Sequence, residues 1–387
     1  MKRIKTAERP GWDDKAEALG FTWRHLDGAR YWDERAYYAF SLDEIEDEIE
    51  APARELHTLC LSLVDEVVKS EELMAKLAIP EASRDDVAES WARKDPSLYG
   101  RFDFAYDGTG PAKLFEYNAD TPTSIYETGT FQWVWLEDMI ASGALPATAD
   151  QFNSLHEKLE QRFKAIFPAG GFVHFASDAD TVEDRQTVKY LEDIATQAGI
   201  EPKFVPIDAI GLDAEGRFVD QDNYLINALF KLYPWEEMFR EDYAPKIKGS
   251  KTQFIEPAWK AILSNKGMLP LLWARHAGHP NLLPAFFEDD PRSAELVKSY
   301  VRKPLFSREG ANIELVDDGR RAKVLDQGYG EEGHIRQALH ALTPFDGNYP
   351  VIGAWIVGDE PAGVGIREDR SRVTKNLSRF VPHVILP

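Results

Sequence analysis

The segment from Arg101 to Asn118 constrains this chain more than any other. It reads Arg-Phe-Asp-Phe-Ala-Tyr-Asp-Gly-Thr-Gly-Pro-Ala-Lys-Leu-Phe-Glu-Tyr-Asn. Two alternating runs flank Asp107-Gly-Thr-Gly-Pro111, a strong turn signal. If Asp107 pairs with Ala112 across a four-residue loop, Asp103 stands opposite Glu116 and Arg101 opposite Asn118. Side chains alternate along a strand, so all four share one face. Like charges directly opposite each other destabilise a sheet, and the Asp103/Glu116 pair therefore asks for a cation. Two carboxylates and an amide oxygen are hard ligands suited to Mg²⁺, which keeps waters and phosphate oxygens as further ligands. The planar fork of Arg101 beside them suits an anionic group. The plainer reading, an exposed polar face on an ordinary hairpin, accounts for the same residues.

The rest of the chain mixes helix and strand patterns, which places it in the α/β or α+β class. Leu56, Leu59, Cys60, Leu63, Val64 and Val67 recur at three- and four-residue intervals, and one or two helices are expected between Asp43 and Ala78. A helix is expected from Thr181 to a stop at Gly199, another from within Thr123–Ala141, and a third from Glu256 to Lys266, ending at Gly267. Strand-like runs cover 172–176, 204–207, 301–306, 311–316, 322–325, 351–357 and 363–366. The chain has 387 residues, long enough for two or three domains or one interleaved unit. With 66 acidic residues against 45 Lys and Arg, its formal charge is −21. That balance argues against a nucleic-acid or anionic-membrane partner. It would suit a cationic small substrate, or serve solubility alone. The single cysteine, Cys60, excludes an internal disulfide and any Cys-cluster metal site, and it lies on an apolar stripe where a buried structural thiol is expected. Neither a signal peptide nor an apolar run long enough to span a membrane is present, so a cytoplasmic protein is expected.

Phe115-Glu-Tyr-Asn-Ala-Asp-Thr-Pro-Thr-Ser124 resembles the signature of the glutathionylspermidine synthetase family. These are carbon–nitrogen ligases whose ATP-grasp fold is similar to a circularly permuted version of the usual one, with a pre-ATP-grasp part that binds substrate. The resemblance runs from about Leu98 to the C-terminus. It implies that Asp103, Glu116 and Asn118 hold Mg²⁺, that Arg101 contacts the reacting phosphoryl or acyl group, and that Ser124 helps bind a peptide. It assigns Lys266 and Lys303 to ATP, and the turn Ser307-Arg-Glu-Gly310 (Ser307, Glu309 and Gly310) to the phosphates. Gly310 would let backbone N–H groups approach an anion. Gln337 to His340 would be the adenine hinge, and Arg367 a basic residue near the transferring phosphate. Taken without the resemblance, Lys266 and Lys303 read as surface lysines and Arg367 as the partner of Asp369 in an exposed ion pair.

The activity implied is an ATP- and Mg²⁺-dependent acid–amine ligase, forming an amide through an acyl phosphate. In the family the acid is glutathione and the amine spermidine. Glu183 and Asp184 resemble an acidic pair available to a polyamine, though at a helix start they also compensate the helix dipole. The expected organisation is a helical segment over 1–95, a substrate- and metal-binding part over 96–250, and an ATP-clamping part over 251–387. An N-terminal amidase domain, frequent in the family, does not fit the short segment before Leu98. Gly328-Tyr-Gly-Glu-Glu-Gly333 matches G-x-G-x-x-G ahead of a helix-like pattern, but two glutamates beside a pyrophosphate speak against a dinucleotide site. Two rivals stand beside the ligase: an ATP-binding module without turnover, and a carboxylate-pair hydrolase using Asp103 and Glu116.

Overall fold

The Arg101–Asn118 segment forms the expected hairpin, with strands Tyr99–Ala105 and Lys113–Asn118. Near the turn the register is one residue off expectation: Ala105 pairs with Lys113 and Phe104 with Leu114. A bulge at Phe115 then restores it, so Asp103 faces Glu116 and Arg101 faces Asn118. The turn end of the hairpin is one residue shorter than the sequence reading gave, and the extra residue in the second strand makes up the difference. Asp107 ties the turn by accepting from the Thr109 N–H and hydroxyl. The computed structural model describes every residue of the chain except 27, 309, 324–327, 376 and 377.

Three sheets meet around the face that carries these four residues. The central sheet is antiparallel throughout, in the order Arg379–Val381, Glu360–Asp369, Tyr349–Val357, Tyr99–Ala105, Lys113–Asn118. A second antiparallel sheet, the clamp sheet, runs Ala285–Phe287, His334–Ala338, Tyr300–Pro304, Glu314–Asp317, Arg320–Lys323. The third is wholly parallel, in the order Gln253–Ile255, Ala228–Lys231, Gly171–Ser177, Ile200–Pro206. The helix Val182–Gln197 links two of its strands, as parallel neighbours require a crossover. Its strands end toward the hairpin, the side on which open parallel sheets bind ligands.

The apolar stripe predicted after Asp43 becomes the helix Ala51–Val67, which buries Leu56, Cys60, Leu63, Val64 and Val67. Each such aliphatic side chain contributes roughly 1.5–3 kcal/mol on burial. Cys60 lies wholly inside, and burial pushes its thiol up, so it is no nucleophile. One core cluster draws on Tyr38, Leu56, Phe102, Trp235, Ile335 and Val381, residues from the whole length of the chain.

Two features differ from the sequence reading. Lys2–Lys5 and Ala36–Phe40 are strands, and the latter also pairs with His383–Ile385. The run Ala-Tyr-Tyr-Ala-Phe is buried at every position, so no alternation betrays it. Buried Glu368 fastens this N-terminal sheet to the central one, accepting from Arg3 at 2.8 Å, Tyr38 at 2.8 Å and Arg379 at 3.0 Å.

The helix expected from Glu256 to Lys266 is absent. Only a 3₁₀ turn, Ala258–Ala261, forms there, and the helix is Met268–Arg275, starting after Gly267 instead of ending at it. The Glu256 carboxylate is drawn away to the N–H groups of Leu98 and Tyr99, both at about 3 Å, while the Lys260 ammonium reaches the Tyr99 carbonyl at 2.6 Å. These two side chains cap the start of the hairpin strand. Gly267 is required by crowding: a Cβ there would lie 2.6 Å from Leu77 Cδ2.

Candidate functional site

A cavity of about 600 Å³ opens over the shared face of the hairpin, bounded by the central sheet, the clamp sheet and the ends of the parallel strands. Arg101 Nε donates to Asp103 Oδ1 at 2.7 Å, and its Nη1 donates to the Thr123 carbonyl at 2.7 Å. The guanidinium sits 5.5 Å from the centroid of the Trp355 ring on the next strand. Gly353, opposite Asp103, leaves room for this side chain: a Cβ there would meet Arg101 Cδ at 2.7 Å. Arg367 Nη2 reaches Asp103 Oδ2 at 3.3 Å. Its partner is therefore Asp103 across the sheet, while Asp369 binds the Ser371 N–H and the Ser378 hydroxyl.

The Asn118 amide nitrogen lies 3.3 Å from both Asp103 Oδ2 and Glu116 Oε1. It stands between the two carboxylates, where a cation would offset their charge; turned over, the amide would present its oxygen instead. Lys266 Nζ is 3.3 Å from Glu116 Oε2 and donates to the Ser307 carbonyl at 2.7 Å. Lys303 Nζ donates at 2.9 Å to the carbonyl of Phe115, the bulged residue whose backbone the ladder leaves unpaired. Burial would raise the Glu116 carboxyl, but the Lys266 and Lys303 ammonium groups outweigh it and hold it down at about 2. Burial lowers the Lys303 ammonium to about 8; the Glu116 charge opposes that shift and Lys266 adds to it.

The opposite wall comes from the clamp. Lys303 and Gln337 share a face on adjacent strands, and Gln337 Nε2 donates to the Leu114 carbonyl at 3.0 Å. Residues 338–342 continue the wall. In the turn after Lys303, Gly310 has φ 74°, a backbone that favours glycine. Arg308 donates to the Thr121 hydroxyl at 2.7 Å and so joins this turn to the segment after the hairpin. The hydroxyls of Ser264 and Ser307, both on the cavity wall, are buried without a hydrogen-bond partner among the described residues. Such orphaned groups are costly unless a ligand takes them up. Glu309 lies outside the described residues.

At the far end Glu183 and Asp184 line the cavity from the first turn of their helix, beside Asp178, Thr181 and Tyr31. Ser124 stands back from the wall: its side chain is buried and its hydroxyl is 3.1 Å from that of Tyr31. The structure thus gathers Arg101, Asp103, Glu116, Asn118, Lys266, Lys303, Ser307, Gly310, Gln337, Glu183, Asp184 and Arg367 at one cavity. Tyr31 and Glu236 also line it and carried no sequence signal, since nothing near Tyr31 in the chain hints at a site some seventy residues on. Arg308 was legible, lying within the quoted turn. The G-x-G-x-x-G match runs straight into the strand His334–Ala338 and not into a helix. Among the described residues no helix is long and apolar enough to cross a membrane.

Comparison with known proteins gives the fold and the family of the chain. A glutathione synthetase-like effector of Globodera pallida superposes over 98% of both chains with a TM-score of 0.51 at 11% identity, a likeness of fold. The class is thus a mixed α/β protein of the glutathione synthetase-like, ATP-grasp type. Residues 3–386 match the family described as glutathionylspermidine synthase preATP-grasp, to which the chain belongs, and it is accordingly a carbon–nitrogen-bond-forming acid–amine ligase. A chain of Haemophilus influenzae described as an acid–amine ligase is 39% identical over the full length of both. The trypanothione synthetase of Crithidia fasciculata is 31% identical over 84% of this chain and 53% of its own. The bifunctional glutathionylspermidine synthetase/amidase of Escherichia coli is 29% identical over 97% of this chain, which spans 63% of that longer protein.

Proposed function

We propose that this ligase uses ATP and Mg²⁺ to join the carboxylate of a glutathione-like peptide to a polyamine, through an acyl phosphate. The observation that carries this reading is the convergence of two carboxylates and an amide with Arg101, Arg367, Lys266 and Lys303 around one cavity. Asp103, Glu116 and the Asn118 oxygen fit Mg²⁺, which takes one or two carboxylates and leaves its other positions to water and phosphate. When bound, the ion neutralises phosphate oxygens as charge shifts during transfer. Lys266, Lys303 and the 307–310 turn hold the triphosphate from the clamp side. Arg101, pinned between Asp103 and Thr123, meets the substrate carboxylate and, with Arg367, the transferring group. Glu183 and Asp184 supply the negative end that attracts the cationic amine.

The test is ADP release from Mg-ATP in the presence of pooled acids and amines. Release that needs one of each supports ligation; ATP binding without turnover, or cleavage without ATP, sinks it. In the same assay kcat/KM for Mg-ATP should fall as pH rises above about 8, because the Lys303 ammonium, charged below that value, is lost above it. Lys303→Arg, which stays protonated, should abolish that limb. Gly353→Ala should drive Arg101 off Asp103 and lower kcat/KM about 100-fold while the thermal midpoint moves by only a few degrees. Activity within a factor of two of wild type would mean that Arg101 is not held as described.

A further inference from the structure

Buried carboxylates in this protein are paired with basic side chains: Glu34 with Arg9, Asp120 with Lys231, Glu256 with Lys260, Glu368 with Arg3, and so on through the described residues. Glu127 is the exception. It is 1% exposed: Trp23 Nε1 donates to Oε1 at 2.7 Å, and a backbone N–H and the neighbouring Tyr31 hydroxyl, both neutral, also favour its charge. An unpaired buried carboxylate is costly, and such groups gather where function needs them. The Tyr31 hydroxyl connects it to the site, since Tyr31 lines the acidic end of the cavity with Glu183 and Asp184. Ser124 Oγ, 3.1 Å away, fixes that hydroxyl in place. A single hydroxyl thus separates the cavity from a carboxylate with no cation of its own.

An aliphatic amine is an ammonium at neutral pH and has no lone pair until a proton leaves. We propose that Glu127, acting through the Tyr31 hydroxyl, accepts the proton that the amine substrate must shed before it attacks. The inference rests on the ligase reading above. The ammonium gives a proton to Tyr31 Oη as the tyrosine proton passes to Glu127. The freed nitrogen bonds to the acyl carbon, the carbon–oxygen bond to phosphate breaks, and the departing phosphate takes the second nitrogen proton. Glu127 then returns its proton to solvent. The groups facing Glu127 suit the task. Burial, then the charge of Glu183 from the neighbouring helix, raise its carboxyl to about 7, while Trp23 and Tyr31 donate against that shift. Tyr126, packed nearby, is itself pushed up to about 12 by burial and by the Glu127 charge.

The experiment compares wild type, Glu127→Gln and Tyr31→Phe with Mg-ATP and glutathione, using spermidine or hydroxylamine as the amine. Hydroxylamine is already unprotonated at neutral pH and traps an acyl phosphate as the hydroxamate. Both variants should form the spermidine amide about 100-fold more slowly at pH 7, with KM for spermidine within a few-fold of wild type. Both should make hydroxamate within about three-fold of the wild-type rate, because activation of the acid is intact. Raising the pH should recover part of the spermidine rate in the variants by supplying free amine. Equal losses with both amines would reduce Glu127 to a structural role, and full spermidine activity would remove it from the reaction. A wild-type protein that makes neither product would overturn the ligase reading itself, a result distinct from either.

Discussion

Replacing Glu116 with alanine should lower kcat/KM for Mg-ATP turnover by about 10³, a loss of roughly 4 kcal/mol in transition-state stabilisation, and leave the far-UV circular dichroism unchanged. The magnitude follows from the charges that meet at this residue. Glu116 supplies one of the two carboxylates flanking Asn118, so its loss halves the anionic part of the proposed Mg²⁺ site. It also faces Lys266 directly and lowers the cost of burying Lys303. Without it two ammonium groups share the wall with only Asp103, already bound to Arg101, to offset them, and the geometry they hold for phosphate is no longer fixed. The fold should survive because the side chain borders the cavity, where water can enter, and because the Asp103–Arg101 pair and the Lys303–Phe115 bond remain. Removing a single preorganised electrostatic contact in an enzyme site costs 10²–10³ in rate, and Glu116 acts on both metal and lysines. Glu116→Gln keeps the shape without the charge and should lose nearly as much. Turnover near the wild-type rate in either variant would remove Glu116 from the metal site.

The centre of the site was legible because its information is local. A turn signal and two alternating strands fix which residues face each other, and the pairing of Asp103 with Glu116 follows from eighteen consecutive residues. It was reached through compensating errors: the turn end is shorter by one residue, and the bulge at Phe115 supplies it. No alternation rule announces such a bulge, yet it frees the carbonyl that Lys303 binds. What the chain did not disclose is set by long-range packing. The Glu256–Lys266 stretch has helical spacing, but Glu256 and Lys260 are held by the backbone of residues 98 and 99, so tertiary hydrogen bonds override local preference. Tyr31 reaches the cavity from the N-terminal segment, far along the chain from the motif, and Glu127 is set apart, among the described residues, by the absence of a cation, which only the folded chain reveals.

Asp120 is the second position with a large expected effect, and the effect is on stability. It lies inside the family-like motif, two residues after Asn118, and a reading by motif alone would give it a chemical role. Its surroundings say otherwise. Asp120 is 1% exposed; Oδ1 accepts from the Lys231 ammonium at 2.6 Å and Oδ2 from the Trp235 N–H at 2.9 Å. Lys231 itself is fully buried, with one other acceptor among the described residues, the Tyr233 carbonyl at 2.9 Å, and its ammonium lies 4.7 Å from the Trp235 ring centroid. Together these bonds fasten the segment after the hairpin to the end of the strand Ala228–Lys231, and so hold the central and parallel sheets in the relation that shapes the cavity. Asp120→Ala strands a buried ammonium and an N–H group, and breaking a buried pair from one side costs about 3–5 kcal/mol. At about 2–4 °C per kcal/mol, the midpoint of thermal unfolding should drop by about 10 °C. Most of that cost belongs to the lone charge and not to a lost attraction. The double variant Asp120→Ala with Lys231→Met should therefore recover at least half of the loss, standing about 2 kcal/mol above Asp120→Ala alone. If the double variant is less stable than Asp120→Ala alone, the pair is not the structural tie described.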